Sequence, residues 1–406
     1  MKNLFFSLFF IFLSLLSCDN DDYPYLPEDA DRTLTDIDST GIFEDETPDD
    51  DFKYENLKSR TVVAQVKSYD TPESGYIFIS ETDENENLKK FLPHKTFGDA
   101  NGSDIAVSVQ NDRLYVIERN GTDRVSCFYM DGSECGFGSF STSVNMLRNF
   151  HDVLHIPETG ETLISANEYN SLYLVSDDGK SREIDLSVHF EDYSERLSPS
   201  RLIRMEDTVY VSLQMLDSSF TSIDGYVLAL DVHNLEKAEV IKLPVKNPLG
   251  RFIHNPEVDD SSIFIMCGGN WRENNGGLVK ISHHEKKAEL ILSESDEESN
   301  ILNGDFIDAA LSDSGVFYII TASFSEGWSN TLAVFDVREG SIKELSEDVN
   351  AFAVNPIRWD KVKKRAVFFR DSKNKTFLVK YNPENESFSE ELLQYSPSSL
   401  DIWYYE

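Results

Sequence analysis

Short apolar runs that return in sets of four, a repeat of roughly 50 residues and a near absence of helical periodicity predict an all-β chain. The expected architecture is a β-propeller of seven four-stranded blades, with six as the alternative, its ring closed by the C-terminal strand. One antiparallel blade cannot bury both of its faces alone. Blades packed face to face around an axis bury them and leave only short edges. The 406 residues, 40% apolar and 12% aromatic, suffice for one such domain over 59–406.

From about residue 60, runs of Val, Ile, Leu, Phe and Tyr alternate with Gly, Asn, Asp and Ser turns. Each set opens with a moderately apolar strand carrying a polar residue near its start. These are Asp104-Ile105-Ala106-Val107, His151-Asp152-Val153-Leu154, Arg201-Leu202-Ile203, Phe252-Ile253-His254, Ile307-Asp308-Ala309-Ala310 and Ala351-Phe352-Ala353-Val354. Second strands follow after a turn, as at Leu114–Ile117, Val209–Ser212 and Ala366–Phe369. Third strands read x-Leu-x-Val-x-Asp, as in Leu172–Val175 and Leu332–Asp336, and a more polar fourth strand such as Glu239–Lys242 closes the set. The only helix-compatible patches, Asp36 to Glu44 and Asn145 to Phe150, are short. The first set, Thr61 to Leu92, holds three strands and lacks its opening one. Ser399-Leu400-Asp401-Ile402-Trp403-Tyr404 at the other end is a spare strand of the right type, expected to pair beside Val63.

Residues 1–17 have the layout of a secretory signal: Lys2 is followed by a Leu/Phe-rich stretch, Leu4 to Leu16, too short to span a bilayer as a mature helix. Leu15-Leu16-Ser17-Cys18 resembles the bacterial lipobox, which implies that Cys18 is lipidated and becomes the first mature residue. Two acyl chains on one residue anchor a protein stably. Asp19-Asn20-Asp21-Asp22 resembles the acidic export tag of Bacteroidetes lipoproteins; plain solvation is the alternative. Residues 18–58 are expected to form a flexible tether, since Asp19 to Asp51 holds fourteen acids and one base. The expected location is the outer membrane, on the cell-surface side, with the periplasmic side as the alternative.

The net charge of -36 and the lack of a Lys/Arg cluster exclude nucleic acid as a partner. Cys127 and Cys135 flank the turn Met130-Asp131-Gly132-Ser133, so a cross-strand disulfide is sterically open to them, and two reduced thiols are the alternative. Cys267, within an apolar run, reads as a small buried hydrophobe.

Several passages carry a family likeness: Phe150-His151-Asp152-Val153, Glu183-Ile184-Asp185-Leu186-Ser187, Leu202 through Asp217, and Lys246-Asn247-Pro248-Leu249-Gly250. They resemble a group of secreted bacterial propellers, and the repeats as a whole resemble the YncE-like and YVTN-type propeller proteins. The resemblance implies a propeller and an envelope location, and carries over no catalytic residues.

Ligand sites of propellers gather at one mouth of the central channel, on loops around the innermost strands. Polar residues at first-strand starts are therefore candidates: His151, Asp152, Arg201, His254 and Asn255, with Asp104, Asp308 and Asp401 beside them. No cofactor is expected, although neutral His151 or His254 with Asp152 or Asp308 leaves a bound divalent metal open. The opposite reading is that such groups hydrogen-bond neighbouring blades. Loops after the second strands supply Gln214, Trp271, Arg272 and Trp328; exposed Trp and Arg suit stacking on a flat ligand. No GxSxG elbow, HExxH, P-loop or dinucleotide fingerprint occurs. The reading is a lipid-anchored, non-catalytic binding protein for a small molecule, glycan or envelope protein, an accessory to outer-membrane uptake. A metal-dependent propeller hydrolase or lactonase and a structural surface protein are the alternatives.

Overall fold

A computed structural model of the chain describes residues 57–406 except 69–73, 83, 92–103, 120–121, 143–147, 191–195, 296–303, 324–328 and 352. The signal segment, Cys18, the acidic tether to residue 56 and Trp328 lie outside the described residues.

Twenty-eight strands, β1 to β28 in chain order, form seven four-stranded antiparallel sheets among the described residues. Six sheets are consecutive strands. The seventh has the order β28-β1-β2-β3, combining β1 (Lys58–Val66), β2 (Gly75–Ser80) and β3 (Leu88–Lys90) with the terminal strand β28 (Ser396–Tyr405). Thr61 faces Ile402 and Val63 faces Leu400 across that pair. The innermost strands are β28, β4 (Ile105–Gln110), β8 (Phe150–Ile156), β12 (Pro199–Met205), β16 (Phe252–Ile253), β20 (Asp305–Leu311) and β24 (Ile357–Asp360). Each touches the next around the ring, and β24 meets β28. The fold is a seven-bladed β-propeller.

The two-residue period of a strand builds the core. In β9 (Glu161–Ala166), Leu163 packs toward the following blade and Ile164 toward the preceding one. In β17 (Ser262–Cys267), Ile263 and Ile265 face one seam while Phe264 and Met266 face the other. Seven separate apolar clusters result, one in each seam between blades. Strands buried on both sides therefore read as near-continuous apolar runs.

The closing seam has polar staples as well as Val63, Leu400, Ile402, Val367 and Phe369. Glu86, between β2 and β3, receives both guanidinium nitrogens of Arg365 at 2.7 and 2.9 Å, Lys363 at 2.7 Å and Lys380 at 2.8 Å from the last blade. Burial opposes the charge on Glu86, but these three cations outweigh it and hold its carboxyl far below the usual range.

One expected strand is displaced. Ala351–Val354 is not the opening strand of its blade, which starts at Ile357, after Pro356. Proline cannot donate to the ladder, so the chain crosses the channel mouth first. Val354 N–H donates to the Ser398 carbonyl there, and Ala351 and Ala353 are buried without being in a strand. Cys127 and Cys135 form a disulfide with Cα atoms 5.3 Å apart, and Cys267 is fully buried.

Candidate functional site

The chain enters the innermost strands through a repeated device. Asn149, Ser198, Asn247 and Asp348, each just before an innermost strand or the crossing segment, have φ between 51 and 58°. Their carbonyls accept, at 2.7–3.2 Å, the N–H of Asn167, Gln214 and Gly268, each the first residue beyond its second strand, and of Asp371, near the end of the second strand Arg365–Ser372. Short polar residues tolerate left-handed backbone best, which explains three of these four being Asn or Asp. The device fixes the loops that rim this end, here termed the entry mouth.

Side chains continue the ring. Asn167 Nδ2 donates to Gln214 Oε1 at 3.0 Å, Gln214 Nε2 to Asn247 Oδ1 at 2.8 Å, and Asn247 Nδ2 to the Gly269 carbonyl at 3.1 Å. This amide relay ends on the loop that carries Trp271. Gly269 has φ +58 and no room for a Cβ beside Asn275 and Gly276, and Arg272 has φ +69. Two carboxylates clamp the loop. Asp305 accepts the Arg272 N–H at 3.0 Å, and Glu294 Oε2 accepts the Gly276 N–H at 2.8 Å. Burial raises Asp305 to about 6 and Glu294 to about 7, and the Asp305 carboxylate pushes Glu294 further up.

Inside the entry mouth lies a cavity of 270 Å³, bounded by Arg119, His151, Arg201, Trp271 and Asp308, with the crossing segment at Ala351, Ala353 and Val354 as one wall. Trp271 is 47% exposed at its rim. Gly250 lets the wall close up: a Cβ there would meet Met266 at 2.7 Å. Arg201 spends Nε on the Leu249 carbonyl and Nη2 on the Val354 carbonyl, two of its five N–H donors. His151 Nδ1 meets Ser200 Oγ at 3.1 Å, while its buried Nε2 has no hydrogen-bond partner; neither has Arg119 Nε or Asp308 Oδ2. Burial first, then the neighbouring Arg119 and Arg201, hold His151 neutral, well below its usual range.

Beneath this cavity six charged side chains cross the channel, one from each of six blades: Asp152, Arg201, Arg251, Asp308, Arg358 and Asp401. Arg251 pairs with both oxygens of Asp401 at 3.2 Å, and Arg358 Nε donates to Asp401 Oδ1 at 3.1 Å. Asp401 also accepts Val109 N–H at 2.8 Å, and Asp152 accepts Leu202 N–H at 3.0 Å, each from the adjoining blade. Burial disfavours every charge in the belt. It raises Asp152 and Asp308 and lowers Arg201 and Arg358 to about 10, whereas two arginines overcome it at Asp401 and keep that carboxyl below its usual range. The belt is neutral in sum in a chain of net charge -36.

On the far side, the exit mouth holds a wider cavity of 590 Å³, reached by Gln110, Asp152, His155, Arg204, Arg251 and Asp401. Gln110 on its wall is spoken for: it accepts His155 N–H at 2.7 Å and donates to the Val153 carbonyl at 2.6 Å, lacing two blades.

His151, Arg201, Gln214 and Trp271 thus share the entry cavity, with the Arg272 backbone in its rim loop. Asp152 faces the exit side. His254 and Asn255 line neither cavity, because β16 is two residues long and the chain has left the channel by then. His254 Nδ1 lies 3.0 Å from the Ser262 carbonyl, and Asn255 Nδ2 donates to Asp313. Arg119, Arg251 and Arg358 have no counterpart among the sequence candidates. Arg251 and Arg358 sit beside first-strand apolar residues, as Arg201 does, and that placement was the available signal. Among the described residues no three His, Cys, Asp or Glu side chains gather in a way that could hold a metal ion.

No family model matches the chain, and no curated protein matches it in sequence. Solved structures do match in fold. A protein from Lactobacillus plantarum is 14% identical, with a TM-score of 0.56 over 85% of this chain and 99% of its own. A protein from Bacteroides uniformis proposed to be a 6-phosphogluconolactonase is 10% identical, with a TM-score of 0.53 over 85% and 99%. TolB from Acinetobacter baumannii is 9% identical with a TM-score of 0.46; 85% of this chain is covered, spanning 66% of TolB. At such identities the likeness is one of fold, the seven-bladed propeller.

Proposed function

We propose that the protein is a lipid-anchored envelope propeller that binds a small anionic ligand without transforming it, in the cavity of the entry mouth. The observation that carries this reading is the composition of the cavity: Arg119 and Arg201 converge on it with hydrogen-bonding capacity in reserve, and an exposed indole, Trp271, stands at its rim. Two guanidinium groups at the end of a half-enclosed pocket favour a carboxylate, and the indole favours a flat apolar substituent on the same molecule. Among the described residues Asp308 is the sole carboxylate on its wall. Lipidation at Cys18 and a cell-surface setting belong to the same reading, supported by the lipobox-like Leu15-Leu16-Ser17-Cys18 and the acidic stretch behind it.

Two measurements test it. Cys18→Ala is expected to move the protein from the membrane fraction to the soluble one; retention in the membrane overturns the anchor. Calorimetric titration with 3-phenylpropionate is expected to show binding that Trp271→Ala and Arg119→Gln each weaken about tenfold, without loss of folding. Native affinity in both variants would remove the entry cavity as the site, and turnover of a lactone by the purified protein would replace binding with hydrolysis.

A further inference from the structure

We infer that the entry cavity selects an α-hydroxy acid: a carboxylate for Arg119 and Arg201 with a hydroxyl beside it for Asp308. The inference rests on the binding reading above and adds a second recognition element to it.

Asp308 is 2% exposed and borders the cavity. Its two oxygens are treated differently. Oδ1 accepts the Arg251 N–H at 3.2 Å, which ties it to the neighbouring blade, and the Ala309 backbone N–H also favours the charged carboxylate. Oδ2 has no hydrogen-bond partner, and its nearest cation, Arg358 Nη1, is 3.9 Å away. A buried carboxylate oxygen without a donor is costly and uncommon in a folded protein. The other carboxylates of the belt show what a purely structural role looks like: Asp401 is filled by two arginines and two backbone N–H groups, and Asp152 by two backbone N–H groups. Asp308 alone keeps an unfilled oxygen, and it is the member on the cavity wall. Oδ2 is buried on the side of Arg358, so a ligand hydroxyl reaches it by the carboxylate turning about its broad terminal torsion.

Unfilled donors lie on the same wall. Arg119 Nε has no hydrogen bond, only an ion pair with Asp104 Oδ1 at 3.7 Å, and Arg201 keeps three N–H donors beyond its two carbonyl bonds. Donors and an acceptor side by side fit a ligand that presents an acceptor and a donor on adjacent atoms. A hydroxyl next to a carboxylate does so without adding charge. An α-ammonium would offer the donor too, but it would sit in the field of Arg119 and Arg201, so the amino acid is the poorer fit.

The experiment is a titration of the full protein with 3-phenylpropionate, 3-phenyllactate and phenylalanine, which share one apolar body. 3-Phenyllactate is expected to bind at least about tenfold more tightly than 3-phenylpropionate, with phenylalanine weaker than 3-phenyllactate. Asp308→Asn, which keeps an acceptor for Arg251 N–H but presents an amide in place of Oδ2, is expected to bring 3-phenyllactate and 3-phenylpropionate to equal affinity. Equal affinity of the first two acids in the native protein overturns the hydroxyl's role and leaves the carboxylate site standing. A preference for phenylalanine overturns the choice of hydroxy acid. If none of the three binds, the entry cavity as a site for organic acids falls with it. The native protein's ligand series decides the matter even if the Asp308 variant fails to fold.

Discussion

The two ends of the channel are built from the same kinds of residue and use them in opposite ways. At the exit mouth, Asp152, Arg251, Asp401 and Gln110 spend their hydrogen bonds on each other and on the backbone of the next blade. At the entry mouth, Asp308 Oδ2, His151 Nε2 and Arg119 Nε are buried with no hydrogen-bond partner. A filled polar network rigidifies the ring; an unfilled one is a reservoir of interaction for something that arrives later. A buried Asp on an innermost strand is therefore not a site by virtue of position. What its oxygens already hold separates the two cases.

The strongest way to break the comparison is to mutate equivalent charges on the two sides. Asp401→Asn removes the carboxylate shared by Arg251 and Arg358, whose side chains are 16% and 12% exposed, and leaves two buried cations short of a partner. Breaking such a network costs about 3–5 kcal/mol, and chemical denaturation is expected to show a loss of that order. Asp308→Asn, with one oxygen idle, is expected to cost clearly less. Equal losses would mean that Asp308 is as structural as Asp401.

The disulfide offers a gentler test, since it lies in the seam of the second and third blades, in neither mouth. Cys127 and Cys135 are 8 residues apart, and closing so short a loop contributes about 2.5 kcal/mol in the chain-entropy account. Cys127→Ala with Cys135→Ala is expected to lower the denaturation midpoint accordingly and to leave ligand affinity at the entry mouth unchanged. A loss of affinity would mean that the two regions are mechanically coupled.

These contrasts were unevenly legible in the sequence. The blades were plain, because strands buried on both faces, such as Ile263 to Met266, leave unbroken apolar runs, and the spare strand at Ser399 to Tyr404 matched the one missing at the start. Ala351 to Val354 misled because a buried crossing segment needs the same apolar side chains as a strand; Pro356 marked the true boundary. His151, Arg201 and Trp271 could be placed at one mouth from their position in the repeat. The belt could not, since Arg251 and Asp401 are 150 residues apart and nothing local couples them. His254 looked equivalent to His151, but the two-residue β16 ends before it, so the same letter falls outside the channel.

Protons supply the smallest and most selective test, because the clamp on the Trp271 loop titrates near neutrality. Asp305 is raised from 3.8 to about 6 and Glu294 from 4.5 to about 7, in both cases chiefly by burial. A carboxyl raised in the folded state binds more protons there than in the unfolded chain between the two values, so stability falls as pH rises through that window. These two groups therefore favour the fold most below about 4 and cease to do so above about 7. His151, His155 and His283, all lowered chiefly by burial, act in the opposite sense on acidification below 6.5. The total profile mixes the two, and a difference between variants separates them. Asp305→Asn can keep one acceptor for the Arg272 N–H while removing a charge that pushes Glu294 up. Thermal melts of the native protein and this variant from pH 5 to pH 8 are expected to show the native Tm declining more steeply, by a few degrees over the range, with the histidine contribution cancelling. Parallel profiles would mean that the clamp carries no titrating charge.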